Sequence, residues 1–159
     1  MSLDPKNVNL IRYMERLYAS NLLFHFYSGK SCIADCSDLL YEMGMVGLMS
    51  HIAVVNRVAL NRKSLSMKIA FTRDKRLPVP CDSDRIPDCF GLSIRCLNPE
   101  ITSSVYDMHC TPEINSLLID ASKNTLSIIF DDGGLSSINI IFTTITITSH
   151  VADDDASIV

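Results

Sequence analysis

Apolar residues recur at helical spacing near the N-terminus and at alternate positions along most of the remainder. Asp4-Pro5 reads as a helix start, because Asp caps free amides and Pro occupies a first turn where its missing N–H costs nothing. Val8, Ile11, Met14 and Leu17 or Tyr18 then form one stripe, with Lys6, Arg12, Glu15 and Arg16 off it, which predicts a helix from about Pro5 to Ala19. The short apolar and aromatic run Asn21 to Tyr27, the turn Ser28-Gly29-Lys30-Ser31 and Cys32-Ile33-Ala34 predict a hairpin. Ser37 or Asp38 caps a short second helix through Leu39, Leu40, Met43 and Val46.

Beyond His51 the period changes from helical to alternating. Val54, Asn56, Val58 and Leu60 pair naturally with Leu65, Met67, Ile69 and Phe71 across the polar Asn61-Arg62-Lys63-Ser64, which predicts two strands. Pro78, Pro80 and Pro87 among Asp82, Ser83, Asp84 and Asp88 mark Lys75 to Asp88 as a long surface loop. Strands are predicted again at Phe90 to Cys96 and Ile101 to Met108, then as a meander over Ser116 to Ala121, Thr125 to Phe130 and Leu135 to Thr148. A competing reading starts a helix at Thr111-Pro112-Glu113 and runs it to Ala121. In the last strand Ile138, Ile140 and Phe142 share one parity while Ile145 and Ile147 share the other, which calls for a bulge near Phe142 to Thr144 or for burial of both faces. The expected class is α+β: a mostly antiparallel sheet with an N-terminal helix and a second short helix on one face.

With 159 residues, 47% of them hydrophobic, the chain suffices for one core, and the expected organisation is a single α+β domain over 1–152 with a flexible acidic tail at 153–159. The first residues lack the apolar stretch of a signal peptide, and six Cys without any CxxC read as reduced thiols, so the expected location is cytoplasmic or nuclear. Gly133 to Ala152 carries no charge but is rich in Ser, Thr and β-branched Ile, so it reads as strand, not as a membrane span; Met43 to Asn56 is too short to span.

Charge is distributed unevenly. Arg57, Arg62, Lys63, Lys68, Arg73, Lys75 and Arg76 are seven of the 14 basic residues, and only Asp74 opposes them within that segment, although the whole chain has a net charge of -4. Arg62, Lys63, Arg73, Lys75 and Arg76 are expected at one end of the two-stranded unit. The functional reading is a docking patch for an acidic protein partner or for nucleic acid; the plain one is a solvated hairpin face.

Catalytic and metal chemistry find little support. Gly29-Lys30-Ser31 matches the end of a phosphate-binding loop, but Phe24 stands where the loop needs its first glycine. Asp82-Ser83-Asp84 opens like a calcium loop, yet Pro87 and Ser93 occupy the positions that require Gly and Glu. No Gly-x-Ser-x-Gly is present, adjacent His109 and Cys110 point apart in a strand, and each lone His reads as a surface or satisfied core residue. Cys32 and Cys36 with distant His109 and Cys110 form only a loose metal pattern. No catalytic residue, metal or cofactor is therefore assigned. The final Ser157-Ile158-Val159 resembles a carboxyl-terminal ligand of PDZ domains, through Ser157 and Val159.

The uncharged run Ile138 to Ile147 is strongly β-forming and unguarded, so Ile138, Ile140, Phe142, Ile145 and Ile147 are expected to be central, covered, or paired with a second copy in a homo-oligomer. The favoured function is a non-enzymatic adaptor or assembly protein acting through protein–protein contacts and self-association. Its alternatives are a nucleic-acid-binding subunit using 57–76 and an enzyme without a recognisable motif; a membrane partner is not expected.

Overall fold

The computed structural model describes residues 22–74, 85–105, 113–131 and 136–151. Their elements are β1 (Leu22–Tyr27), β2 (Cys32–Ala34), α1 (Ser37–Val46), β3 (Leu48–Met49), β4 (His51–Leu60), β5 (Ser64–Arg73), β6 (Cys89–Leu97), β7 (Glu100–Val105), β8 (Glu113–Asp120), β9 (Thr125–Phe130), β10 (Ser137–Ile141) and β11 (Thr144–Val151). Alternation places Leu65, Met67, Ile69 and Phe71 of β5 and Phe90, Leu92, Ile94 and Cys96 of β6 inside, with Lys68 and Arg95 outside. The Phe71 and Phe90 rings stack with centroids 4.7 Å apart.

The strands form one mixed sheet in the order β2-β11-β6-β5-β4-β8-β9-β10-β7, with β1 pairing β8 in parallel and β3 antiparallel. This sheet cannot be flat. Only Phe142 and Thr143 separate β10 from β11, a link that reaches at most about 11 Å, whereas six strand spacings in a flat sheet would separate them by about 29 Å. The same holds for β6 and β7, joined by Asn98-Pro99. Since β6 pairs β11 and β7 pairs β10, all antiparallel, the four make one bent ribbon that turns from one layer into the other. The first layer is β2, β11, β6, β5 and β4; the second is β1, β8, β9, β10 and β7, and both face one core.

Three crossings gather at one end of the molecule. The Phe142 amide donates to the Asn124 carbonyl at 3.1 Å and the Thr143 amide to the Leu97 carbonyl at 3.0 Å, while the Ala121 amide reaches Tyr27 and the Ile145 amide reaches Ser31, each at 2.8 Å. Asn98 and Asn124 turn the chain there with φ of 50° and 57°, a region that Asn tolerates better than most residues. At the opposite seam, among the described residues, Ala53 pairs with Ile114 and Val54 with Glu113.

This arrangement corrects the α+β expectation: the described residues are mostly β-sheet and contain one helix, α1. The sheet's own second half, folded over through two-residue crossings, supplies the cover that helices were expected to give. The helix predicted at Pro5 to Ala19 lies outside the described residues, whereas α1 forms where Ser37 and Asp38 suggested and packs against β1. The expected hairpin of Asn21–Tyr27 with Cys32–Ala34 does not form, because β1 joins the second layer and β2 pairs β11 in parallel. Glu113–Asp120 is strand, as the first of the two readings had it. The phase change in Leu135 to Thr148 reflects two strands in two layers instead of one strand with two buried faces. No helix among the described residues is long and apolar enough to cross a membrane.

Candidate functional site

A bulge shapes one margin of the first layer. In β4 the residue pairs Val55 with Ile69 and Arg57 with Lys68 place a bulge at Asn56 in the register with β5. From Asn56 to Leu60 the strand is exposed, and from Arg57 to Leu60 it pairs with β5. β7 mirrors it: among the described residues it pairs β10, with a bulge at Thr102.

Between these two margins lies an apolar groove of about 460 Å³. Leu65, Met67, Phe130 and Ile140 floor it from the core, Ile138 flanks it half-buried, and Val58, Leu60 and Ile101 stand on its rim with 54%, 55% and 45% of their surface exposed. Val58 lies opposite Met67 and Leu60 opposite Leu65, so the rim and floor side chains share one face of the β4–β5 pair. The groove offers apolar side-chain contact and two rows of main-chain donors and acceptors. Arg57 and Asn56 also line it, so the groove is mostly apolar with one cation at its margin, the makings of a binding surface.

The residues singled out for self-association divide between this groove and the core. Ile140, Phe142, Ile145 and Ile147 are at most 2% exposed and face the chain's own core, and β10 and β11 each have neighbours on both sides. Burial within one chain thus meets the demand for cover. Ile138 and Ile140 also line the groove, a placement that depends on the sheet turning over and could not be read from their parity.

The basic segment is distributed along the β4–β5 hairpin. Arg57 and Lys68 are directly opposite on its outer face, and Arg62 and Lys63 are exposed in its turn, which Asn61 organises by accepting the Lys63 and Ser64 amides at 2.8 and 2.9 Å. Arg73 is at the other end, with its Nε 3.3 Å from the Asp88 carboxylate, so Arg62, Lys63 and Arg73 do not share one end as expected. Arg95 of β6 joins Arg57 and Lys68 on the outer face although it lies far away in sequence. Lys75, Arg76, Ser157 and Val159 lie outside the described residues.

Gly29-Lys30-Ser31 is a packing turn. A Cβ on Gly29 would lie 2.5 Å from the Ala121 carbonyl oxygen, and the Ser31 hydroxyl donates to that same oxygen at 2.7 Å. Cys32, Cys36, Cys89 and Cys96 are free thiols. Burial pushes the Cys96 thiol up to about 12; burial also raises Cys32, and burial with the Asp35 charge raises Cys36, so these three stay protonated and poorly nucleophilic near neutral pH. His51 is fully buried, its Nε2 is 2.8 Å from the Pro87 carbonyl oxygen, and its ring meets Phe90 edge-on, while His25 and His150 are exposed. Among the described residues no group of three His, Cys, Asp or Glu side chains is placed to hold a metal ion. Asp82, Ser83, Asp84, His109 and Cys110 lie outside them. No protein-family model matches the chain, and neither a curated protein nor a solved structure matches it.

Proposed function

We propose that this chain is a non-enzymatic adaptor or assembly protein that captures an extended segment of a partner protein in the groove between β4 and β7. The observation that carries this reading is that exposed Val58 and Leu60 of β4 and exposed Ile101 of β7 stand around one apolar floor, in strands that offer a main-chain template. A peptide laid along either margin gains main-chain hydrogen bonds, and every second side chain drops toward Leu65, Met67, Phe130 and Ile140. The bulges at Asn56 and Thr102 interrupt both margins, a device that discourages indiscriminate edge-to-edge pairing while leaving room for a matched segment.

Selection from a displayed library of short random peptides, with counter-selection on a Val58→Asp/Ile101→Asp variant, tests this reading. Enriched sequences are expected to alternate aliphatic and polar residues, and N-methylation of alternate amides in a selected peptide is expected to weaken binding about tenfold or more, the loss of one or two hydrogen bonds at an apolar site. Peptides that bind the variant equally well, or that tolerate N-methylation at every position, would overturn it.

A further inference from the structure

The outer face of the first layer carries a second, separate surface. β4, β5, β6 and β11 contain Arg57, Lys68, Arg73 and Arg95 and no Asp or Glu, although the chain has 18 acidic residues against 14 basic ones. The pairing registers set the outward residues in rows. One row runs Arg57, Lys68, Ser93, Thr148 across the four strands, and the next runs Ala59, Ser66, Arg95, Thr146. Together they line a shallow depression of about 440 Å³. Its sides hold three exposed cations and its centre four half-buried hydroxyls, and Arg62 and Lys63 continue the charge past the end of the face. His150, lying over Gly91, occupies the row on the other side.

Cations on neighbouring strands hold one another in a field that no carboxylate of these strands offsets, an arrangement that costs stability through mutual repulsion unless an anion lies against it. Interspersed Ser and Thr hydroxyls match the way phosphate oxygens are gripped, by Arg and Lys together with hydroxyl donors. Apart from the His150 ring, the outward positions of these four strands hold no aromatic side chain, so this face offers single-stranded bases almost nothing to stack on. We infer that the outer face of β4, β5, β6 and β11 binds the phosphate backbone of duplex nucleic acid without reading its sequence. Arg57, Lys68 and Arg95 supply the charge and Ser66, Ser93, Thr146 and Thr148 the hydroxyl donors. The groove lies on the inward side of the β4–β5 pair and shares Arg57 and Met67 with this face, whereas Lys68 and Arg95 line this face and not the groove.

Fluorescence anisotropy with the full chain tests it, using a 20-base-pair DNA duplex of about mixed composition, the corresponding single strand, and poly-glutamate as the acidic-protein probe, from about 20 to 200 mM salt. Duplex binding is expected to be at least as tight as single-strand binding, to be indifferent to sequence, and to weaken with salt at a log–log slope of about -3, one step for each of three phosphates neutralised. Arg57→Glu/Lys68→Glu and Arg95→Glu are each expected to lower affinity more than tenfold and to flatten that slope, whereas Lys123→Glu, on the turn after β8, leaves both unchanged. Circular dichroism checks that the variants fold; Arg57→Gln/Lys68→Gln, which keeps the side chains' size, is expected to give the same direction of change. No duplex binding at the lowest salt, binding that survives charge reversal, or tighter binding to poly-glutamate than to duplex each overturns the inference, the last in favour of an acidic protein segment.

Discussion

Glu113 begins β8 at the thin seam between the layers, where it pairs with Val54. Burial, and then the nearby Asp131 and Asp74 charges, raise its carboxyl above the ordinary 4.5. A carboxyl with a raised value in the fold favours the folded state while protonated. That contribution is complete below the ordinary value and is lost as pH rises through the elevated one, leaving a charged Glu113 that works against the fold at neutral pH. Glu113→Gln is therefore expected to unfold like the parent near pH 3 and to gain stability progressively above about pH 4.5, where unfolded glutamate ionises. Because the side chain is partly solvated the gain at pH 7 is small, about 0.5 kcal/mol or less. Urea titrations at both pH values measure it, and a gain equal at the two would show that charge is not the cause. The sequence carried no sign of this residue's role, since Asp74, Glu113 and Asp131 converge only after three separate segments meet.

At the level of the element, the turn Ser28–Ser31 shows how a motif can be local in sequence and tertiary in purpose. Gly29 is required by the close approach of the Ala121 backbone, which cannot yield. Gly29→Ala is expected to cost about 1–3 kcal/mol, as overpacking against a fixed neighbour does, and to lower the melting temperature by about 2–4 °C for each of these kcal/mol. Gly91→Ala makes the informative contrast, because the nearest atoms to the added methyl belong to the exposed His150 ring, which can swing away. Calorimetry of the pair distinguishes the two: equal losses would mean that the Ala121 contact is not what demands glycine. The strand segments and α1 were largely legible because their apolar spacing is a local property, although neither Ser37 nor Asp38 caps α1: Cys36 stands at its N-terminus without a side-chain cap. The pairing of β1 with β8 and of β2 with β11 was not, since parallel partners 90 or more residues away leave no mark in a short window. The basic hairpin was legible in part: Arg57, Lys68, Arg62 and Lys63 are near in sequence, whereas Arg95 reaches the same face only through the β5–β6 pairing. The groove was illegible, for its rim and floor come from β4, β5, β7, β9 and β10.

Across the whole molecule, charge follows the layers. The first-layer strands β4, β5, β6 and β11 hold cations and no carboxylates, while β1, β8, β9 and β10 hold Glu113 and Asp120 and no Lys or Arg. The two proposed surfaces therefore sit on the same layer but on different sides of it, one outward and charged, the other inward and mostly apolar, and they meet at Arg57. Among the described residues, the crossings at Ser28–Ser31, Asn98-Pro99 and Phe142-Thr143 fasten one end of the layers with four backbone hydrogen bonds, while the opposite seam has two residue pairs. Such a body opens from the seam, as a book does from its fore-edge, with the crossings as its spine. Deuterium uptake in the native state is expected to show it: the amides of Ala121, Phe142 and Ile145 exchange only when the whole chain unfolds, and those of Ala53 and Ile114 through a smaller opening that denaturant hardly promotes. Equal protection at both places would mean that the layers part as one. If the seam does lead, the margin of β4 beside it is the part of the fold that moves first, and a segment entering the groove meets a lip that already parts and recloses on its own.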